Sequence, residues 1–479
     1  METIEKQTFI ENRTFDEIQI GEGASLERTL SKEDIELFAA MSGDINPAHV
    51  DEEYAHSDMF HTIIAHGMWG ASLISTVLGT KLPGPGAIYL SQTLSFRHPV
   101  TIGDTITVTV TVAARQEDGH RVSFDCECTN QRGQVVISGS AEVIAPTTKV
   151  KRPRARLPEV HLYERGAWYR HLLELTKGLA PLRTAVVHPV DEHALLGAID
   201  AAHDGLIIPV LIGPQKKILA IAASLSVDLS PYTIVATEHS HAAAEKAVAM
   251  ARTGEVEALM KGSLHTDELM HAVLAPKIGL TTDRRMSHVF VMDVPTYPRP
   301  LFITDAALNI EPDLEARRDI VQNAIDLARA LGVQTPKVAL LAAVETVNPA
   351  MRATLDAAAL CKMADRGQIS GGIVDGPLAF DNAISASAAQ TKGIVSPVAG
   401  QADILVVPDL EAGNILAKQL EYLAEAQAAG IVLGARVPII LTSRADSPLA
   451  HAASCALALF VTRGALDPGA ALSCRASGR

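Results

Sequence analysis

Two residues near the N-terminus, Asp44 and His49, have side chains that can do acid–base chemistry. They lie in the stretch SGDINPAHVDEEYA, which runs from Ser42 to Ala55. Pro47 separates them, so one regular helix is not expected to carry both, but a turn can aim both side chains at one point. An Asp and a His that share one water molecule can remove a proton and return it. The alternative is an Asp that caps a turn beside a surface His.

The composition excludes several classes of protein. The chain has 479 residues, which is enough for two or three domains, and 48% of them are hydrophobic. It carries 41 Lys and Arg against 55 Asp and Glu, and only 4% of its residues are aromatic. Such a chain offers neither a basic surface for the phosphates of a nucleic acid nor aromatic side chains on which its bases could stack, so we expect no nucleic-acid partner.

The cysteines and the apolar runs predict a cytoplasmic location. The five Cys residues are scattered and form no C-x-x-C pair, which suits a reducing compartment. The N-terminal stretch METIEKQTFIENRTFDEI lacks the apolar core of a signal peptide. Runs such as AGIVLGARVPIILTS are interrupted by Arg and Pro well short of the about 18 residues that a membrane span needs, so no membrane partner is expected.

The first part of the chain, over residues 12–146, predicts one helix inside a mostly antiparallel sheet. DTITVTVTVAA alternates polar and apolar residues, as a half-buried strand does, and EDG and NQRG are turn signals. IIAHGMWGASLISTVLGTKL is long, apolar and rich in small residues, which indicates a buried helix. A sheet wrapped around one central helix is the α+β hot-dog architecture.

The pattern changes after this part. Residues 147–159 are rich in Pro and in cations without an apolar period, which predicts a linker. From residue 160 to 479, short apolar strands such as TAVVHP and IIPVLIG alternate with Ala-rich helices. This alternation predicts a parallel sheet with crossover helices. G-x-G-x-x-G after a strand, G-x-x-x-x-G-K-[ST] and H-E-x-x-H are all missing from the sequence.

The opening stretch resembles the hydratase-2 motif of the MaoC-like (R)-specific enoyl-CoA hydratases. That pattern, S-G-D-x-N-P-x-H-x5-A, is met from Ser42 to Ala55, and IAHGMWGASLIS and GAIYLSQTLSFRHPVTIGD also resemble the family. The resemblance covers roughly residues 12–146. It implies that Asp44 and His49 activate the water that adds to C3 of a 2-enoyl thioester.

Three further residues complete this expected site. HGM stands where the central helix begins, so the Gly67 N–H is free and the helix dipole favours the negative charge of an enolate. A tight strand-to-helix turn is the structural alternative for Gly67. Ser75 matches a family serine that supports the catalytic pair, or it is a helix-packing serine. Asn46 is expected to hold the turn.

Five later stretches resemble the phosphate acetyl/butyryltransferase family. They are LMKGSLHTDELM, ITDAALNIEPDLEARRDIVQNAIDLA, GGIVDGPLAFDNAIS, VVPDLEAGNILAKQLEY and VPIILTSRADS. The resemblance implies a two-lobed α/β fold, like that of isocitrate and isopropylmalate dehydrogenases, with a cleft between the lobes. Lobe one is expected at about 160–300 plus 431–479, and lobe two at about 301–430.

The family reaction converts an acyl-CoA and phosphate into an acyl phosphate and CoA. LTSRADS follows a strand, where cleft residues lie in such sheets. The resemblance implies that Ser443 stabilises the thioester or the departing thiolate and that Arg444 binds phosphate or CoA. Asp446 is a candidate general base, but acetyl-specific members have their base farther from the serine, where this chain has Ala450.

Two more residues of this half are candidates for binding phosphate or CoA. AGNIL places Asn414 at a helix start, where it is either an N-cap or a cleft donor to phosphate. MKG ends a strand, so Lys261 is either a cleft cation or a surface residue. VDGPL predicts a turn after a strand.

Together these patterns predict a bifunctional acyl-CoA enzyme, an enoyl-CoA hydratase fused to a phosphate acyltransferase. CoA thioesters and phosphate are the expected substrates, and neither half implies a metal or another cofactor. A homo-oligomer is expected, because hot-dog domains usually pair. In one alternative the second half is an acyl-CoA-binding regulatory module without transferase activity. In another the first half is a dehydratase or a thioesterase-like hot-dog domain.

Overall fold

The computed structural model describes residues 9–155, 160, 162–163, 165–442, 447–464 and 466. The chain divides into two compact units, residues 1–162 and 163–479. Each unit is described by itself below. Among the described residues, no helix is both long enough and apolar enough to cross a membrane.

The first unit is built on an antiparallel sheet. Its described strands and helices are β1 (Phe9–Glu11), β2 (Gly23–Thr29), α1 (Lys32–Ser42), α2 (Pro47–Val50), α3 (Glu52–Ser57), α4 (Gly67–Thr80), β3 (Ile88–Phe96), β4 (Thr105–Gln116), β5 (Arg121–Asn130), β6 (Val135–Ile144) and β7 (Lys151–Pro153). The strands pair in the order β2-β4-β5-β6-β3, each antiparallel to its neighbour.

The helix α4 and this sheet share one core. Alternate residues of β4, from Ile106 to Val112, are buried, while the threonines between them are partly or fully exposed. Leu73, Ile74 and Val77 of α4 lie in the same buried cluster as these valines. The hot-dog prediction is therefore confirmed: a half-buried sheet of period two covers one apolar helix.

Three short helices, α1 to α3, precede α4 and were not predicted. Each has its own capping residue. Ser31 caps α1 by accepting from the Asp34 N–H, Asn46 caps α2 by accepting from the Ala48 N–H, and Asp51 caps α3. Such helices of one to three turns have too little apolar period to be recognised in a sequence.

Part of the predicted linker belongs to the first unit. Residues 151–153 form β7, which pairs antiparallel with β1 and places Phe9 opposite Pro153. Two cations of this segment have acidic partners: the Lys149 ammonium donates to the Glu17 carboxylate at 2.7 Å, and the Lys151 ammonium lies 3.5 Å from the Glu11 carboxylate. Residues 151–153 are exposed, as predicted, but they pair with β1 in a two-stranded sheet and so are not an unstructured linker.

The second unit has one large mixed sheet. Its described strands are β8 (Leu182–Val187), β9 (Ile207–Gly213), β10 (Thr233–Ala236), β11 (Ala258–Lys261), β12 (Ser287–Asp293), β13 (Leu301–Thr304), β14 (Lys337–Leu341), β15 (Ile373–Leu378), β16 (Ile404–Val406), β17 (Gln427–Leu433) and β18 (Ile439–Ile440). Its described helices are α5 (Ala167–Glu174), α6 (Glu192–His203), α7 (Gln215–Ser224), α8 (Ser240–Thr253), α9 (Thr266–Val273), α10 (Leu314–Ala330), α11 (Arg352–Asp365), α12 (Phe380–Ile384), α13 (Ala386–Thr391), α14 (Leu410–Leu423) and α15 (Pro448–Arg463).

The sheet consists of two parallel blocks joined by antiparallel strands. The order is β10-β9-β8-β11-β18-β17-β12-β13-β16-β14-β15. The strand β17 runs antiparallel to both β18 and β12, and β12 runs antiparallel to β13. The block β13-β16-β14-β15 therefore runs opposite to the block β10-β9-β8-β11-β18. The chain enters the second block at β13 and returns through β17, so the prediction of a parallel sheet was wrong at this junction.

Candidate active sites

Asp44 and His49 lie on either side of a short break between helices. Gly43 ends α1 in the left-handed conformation with a φ of 76°, and α2 begins at Pro47. Asp44 lies in the loop between them, and His49 lies in α2. The Asp44 carboxylate also accepts from the Asn46 N–H at 3.3 Å. The break keeps both residues off one helix, as predicted.

This break brings three side chains together. One carboxylate oxygen of Asp44 and one ring nitrogen each of His49 and His66 lie within 4.8 Å of one another. The rings of His49 and His66 have centroids 4.0 Å apart and planes 34° apart. The predicted convergence of Asp44 and His49 is thus confirmed, and His66 is a third member that we did not predict.

The hydrogen bonds of the two imidazoles determine which nitrogen of each ring carries a proton in its neutral form. The Nδ1 of His49 lies 2.9 Å from the carbonyl oxygen of Ile64, and the Nε2 of His66 lies 2.9 Å from that of Asp44. A carbonyl oxygen can only accept, so each of these nitrogens carries a proton and donates it. In the neutral rings, His49 Nε2 and His66 Nδ1 therefore each keep a lone pair.

His66 stands at the N-cap of α4 and Gly67 is the first residue of that helix. The backbone N–H groups of a first helical turn have no partner within the helix, and the helix dipole is positive there. A methyl group at Gly67 would lie 2.9 Å from the ring of the exposed Phe96, so a larger residue here would have to displace that ring. Its φ is not left-handed, so a strained turn is not the reason for glycine.

A pocket of about 290 Å³ opens beside this cluster. The walls include His49, His66 and Gly67 from the cluster itself. The remaining lining residues are Phe60, Ile64, Ala65, Trp69, Gly70, Phe96, Arg97, His98, Pro99, Val100 and Ile137. The apolar part can take an acyl chain, and the exposed Arg97 and His98 can meet anionic groups. Neither residue was predicted to contribute to the site, although both lie in the family-like stretch GAIYLSQTLSFRHPVTIGD.

Ser75 and Asn46 differ in their relation to this site. Ser75 lies on an exposed position of α4, eight residues and so about 12 Å along the axis from Gly67, and it does not line the pocket. Its role stays a prediction. Asn46 caps α2 at 3.2 Å, so the expectation that it holds the turn is confirmed.

In the second unit, Lys261 ends β11 and is partly exposed. Its ammonium lies 3.4 Å from the Leu264 carbonyl oxygen, in the loop that follows the strand. The strand β11 pairs in parallel with β8 and with β18. The residues Ser443, Arg444 and Asp446, which follow β18, lie outside the described residues, so their roles stay predictions.

Asn414 lies in the second turn of α14 and not at its start. Asp409 caps this helix, because its side chain accepts from the Ala412 N–H at 2.8 Å. The N-cap interpretation of Asn414 was therefore wrong. Its side chain lies 3.4 Å from the carbonyl oxygen of Ala306, just after β13. The strands β11 and β13 are four apart, or about 19 Å, and antiparallel, so the sheet does not bring Lys261 and Asn414 to one edge.

The turn predicted at VDGPL lies within a strand. Asp375 pairs with Ala339 and Leu378 pairs with Leu341 across β14 and β15, and the register shifts between these pairs. The Gly-Pro pair is accommodated by this irregularity and does not end the strand. The prediction of a turn was wrong.

His188 was missed although it follows β8 directly, in the predicted strand TAVVHP. Its Nδ1 atom is buried and has no hydrogen-bond partner within the part of the chain that the structure describes. Burial lowers the pKa of His188, and the nearby Lys217 ammonium acts in the same direction. The parallel pairing of β8 with β11 places His188 at the same sheet edge as Lys261.

The two units are thus a hot-dog domain with an Asp-His pair and a mixed α/β domain of two blocks. The family profile described as MaoC like domain matches residues 17–129. The profile described as phosphate acetyl/butaryl transferase matches residues 236–458.

Known proteins resemble the second unit over most of their own length. A phosphate acetyltransferase of Rhizobium meliloti is 63% identical over 62% of this chain and 94% of its own. A phosphate butyryltransferase of Clostridium acetobutylicum is 41% identical over 61% of this chain and 97% of its own. A branched-chain phosphotransacylase of Enterococcus faecalis, a solved structure, has a TM-score of 0.52 and is 29% identical over 59% of this chain and all of its own. The chain belongs to the phosphate acetyl/butyryltransferase family, and a MaoC-like domain precedes this part.

Proposed function

We propose that this chain is a bifunctional acyl-CoA enzyme. The first unit hydrates trans-2-enoyl-CoA reversibly to (R)-3-hydroxyacyl-CoA. The second unit transfers an acyl group between CoA and inorganic phosphate. CoA thioesters and phosphate are the substrates, and the proposal invokes no cofactor.

The observation that carries the hydratase proposal is the convergence of Asp44 and His49 beside the N-terminus of α4. The lone pair on His49 Nε2 takes a proton from a water molecule that the Asp44 carboxylate orients. The water oxygen then bonds to C3, and the electron pair of the double bond moves towards the thioester oxygen. The Gly67 N–H donates to that developing oxyanion, and the proton returns to C2. The same steps in reverse are a dehydration.

The transferase proposal rests on the relatives of the second unit. Proteins named phosphate acetyltransferase and phosphate butyryltransferase match it over more than nine tenths of their own length. This favours catalysis over a regulatory module that only binds acyl-CoA. In the proposed site, Ser443 stabilises the thioester or the thiolate, Arg444 binds phosphate or CoA, and Asp446 is the candidate base. Lys261 is a proposed binding residue of this site, whereas Asn414 lies beside a residue just after β13, four strands from β11, and its binding role is a separate proposal.

Three further features belong to the same proposal: the fold type of the second unit, the oligomeric state and the cellular location. The fold of the second unit is proposed to be of the isocitrate/isopropylmalate dehydrogenase type, which its two strand blocks and connecting antiparallel strands support. A homo-oligomer is supported by the edge strand β3, where Ile88 and Leu90 are 57% and 41% exposed. A cytoplasmic location is supported by the four described cysteines, all of which are free.

The test is to assay both reactions on one preparation of the whole chain. Crotonyl-CoA consumption, with chiral analysis of the product, tests the first unit. Acetyl phosphate and butyryl phosphate formation from the acyl-CoA and phosphate tests the second. We expect (R)-3-hydroxybutyryl-CoA and both acyl phosphates. Hydration without any phosphotransfer would instead favour the regulatory module, and thioester hydrolysis without hydration would favour the thioesterase.

A further inference from the structure

We infer that Asp44, His49 and His66 also form a binding site for a divalent cation of the zinc type, and that this cation inhibits the first unit. The cluster offers two imidazoles and one carboxylate within 4.8 Å of one another. Two His and one carboxylate, with a further position open to water, is a ligand set that Zn²⁺ takes in proteins.

The surroundings of both imidazoles are those of metal ligands. A histidine that binds a metal usually donates its other ring N–H to a carbonyl or a carboxylate, which fixes the tautomer and the ring orientation. His49 donates to the Ile64 carbonyl, and His66 donates to the Asp44 carbonyl. In the neutral form of each ring, the nitrogen that does not donate keeps a lone pair, which is what a metal ion binds.

His66 provides an independent sign that a partner is missing. His66 is only 2% exposed, and its Nδ1 has no hydrogen-bond partner among the described residues. A buried acceptor without a partner is costly and uncommon. Acid–base catalysis by Asp44 and His49 does not use this nitrogen, and in the proposed site it is the nitrogen of His66 that keeps a lone pair for the cation.

The dimensions require only a small adjustment. Zinc binds His and carboxylate ligands at about 2.0–2.2 Å, so two ligand atoms on one ion are at most about 4.4 Å apart. The cluster must therefore contract by a few tenths of an ångström. The exposed carboxylate of Asp44 and the partly exposed ring of His49 can move by this amount, while the buried His66 stays in place.

The consequence for the first unit rests on the proposed hydratase function. A bound cation takes the lone pair of His49 and an oxygen of Asp44, so neither is available to the catalytic water. Hydration then stops until a chelator removes the ion. The cation is thus an inhibitor and not a cofactor, and the second unit of the same chain serves as an internal control.

The test is a calorimetric titration of the full-length protein with Zn²⁺, repeated with Co²⁺ while the visible absorption of the bound cobalt is recorded. The variants are Asp44→Asn, which keeps the side-chain shape, and His66→Gln. The matched control is His56→Gln, because His56 is an exposed histidine of the same unit outside the cluster. A circular dichroism spectrum and a melting curve establish that each variant is folded.

We expect each cluster variant to raise the dissociation constant of one Zn²⁺ site by about tenfold or more, since even the loss of a residue that only hydrogen-bonds to a metal ligand has that effect. The control keeps that site. Equal titration curves for the wild type, the cluster variants and the control would overturn the inference. Zinc should also abolish crotonyl-CoA hydration, reversibly with EDTA, while phosphotransfer continues.

The two hypotheses fail differently in this experiment. A wild-type protein that hydrates crotonyl-CoA but binds zinc no better than its cluster variants would overturn the cation site and leave the hydratase standing. A protein that binds zinc through the cluster but hydrates no enoyl-CoA in the absence of metal would overturn the proposed activity of the first unit alone.

Discussion

The Nε2 atom of His66 lies 2.9 Å from the main-chain oxygen of Asp44, 22 residues earlier in the sequence. The residue that precedes the central helix therefore holds the loop that carries the proposed catalytic carboxylate. The same helix start presents the Gly67 N–H. Acid–base groups and oxyanion donor are thus positioned by one short piece of backbone, which favours a fixed geometry between them.

The first prediction concerns Asp44→Asn and His49→Ala. Each variant removes one acid–base group, so we expect crotonyl-CoA hydration to fall by about 10²- to 10⁴-fold, with little change in melting temperature. Phosphotransfer by the same preparation should be unchanged. Asp125→Asn is the matched control, because Asp125 lies on an exposed position of β5. Hydration near the wild-type rate in either variant would contradict the assignment of that residue as an acid–base group.

A second prediction concerns the wall of the pocket that Gly70 and Ile137 form together. A methyl group at Gly70 of α4 would lie 2.5 Å from the Cδ1 atom of Ile137 in β6, and Ile137 is buried. We expect Gly70→Ala to lower the free energy of unfolding of the first unit by up to about 2 kcal/mol, because overpacking costs about 1–3 kcal/mol while alanine within a helix gains about 0.5–1 kcal/mol over glycine.

The contact is tested by adding Ile137→Val, which removes that Cδ1 atom. In the Gly70→Ala background this second change should recover stability, although Ile137→Val alone should cost about 0.5–1.5 kcal/mol. Urea unfolding of the wild type, the two single variants and the double variant measures the coupling free energy between positions 70 and 137. Additive effects of the two changes would mean that Ile137 is not what a side chain at position 70 meets.

The sequence was most informative where one physical signal dominated. The strict alternation in β4 and the continuous apolar face of α4 predicted both elements, because burial on one side imposes their periods. The D-x4-H spacing with its central proline predicted that Asp44 and His49 converge from a broken segment. These features depend on neighbouring residues along the chain.

The misses depend on contacts between distant residues. His66 looked like an ordinary helix-start residue, and only the fold places it against Asp44 and His49. The strand β7 depends on pairing with residues about 142 positions earlier, which no local pattern reports. The antiparallel course of β17 has the same origin, since an apolar strand carries no mark of its direction.

A third prediction concerns the pH dependence of stability in the second unit. Arg463 at the end of α15 donates to the Glu257 carboxylate at 2.9 Å. This hydrogen bond lowers the pKa of Glu257 below its ordinary value of 4.5. A carboxyl group with a lowered pKa in the folded state contributes stability above its unfolded pKa, and the contribution is lost as the pH falls through the folded value.

We therefore expect Glu257→Gln to destabilise the second unit at pH 7 by about 1 kcal/mol or less, because the pair is partly exposed and screened. The difference from the wild type should shrink as the pH falls below about 4.5. Melting curves between pH 7 and pH 3 measure it, with Glu245→Gln at an exposed position of α8 as control. A difference that grew towards low pH would contradict the assigned ion pair.

A fourth prediction concerns the independence of the two units. Each has its own buried core, so a protease site inserted between residues 156 and 159 should yield two pieces that keep their separate activities after cleavage. A fragment of residues 1–155 retains β7 and the Lys149 contacts, whereas one of residues 1–146 loses them. We expect the longer fragment to melt at the higher temperature. Equal melting temperatures would show that β7 contributes nothing to the first unit.

The last prediction concerns Ser443 and Arg444, which follow β18 in the chain. The strand β18 lies beside β11, and the Lys261 end of β11 borders the same sheet edge. A serine hydroxyl at such an edge can donate to the thioester, and loss of one such donor costs about 10²- to 10³-fold in turnover. Ser443→Ala should therefore lower kcat for acyl phosphate formation. Arg444→Lys should raise KM for phosphate or CoA, because an ammonium cannot reproduce a bidentate guanidinium contact.

Both variants should hydrate crotonyl-CoA at the wild-type rate, since that site belongs to the other unit. Arg252→Lys, at an exposed position of α8, is the matched control for the arginine. If Ser443 were only a structural residue and Arg444 only a solvated one, melting temperatures would fall slightly and the kinetic constants of phosphotransfer would stay the same. Steady-state kinetics with acetyl-CoA and butyryl-CoA, beside a melting curve, separate the two cases, because only a catalytic role changes kcat or KM in a folded protein.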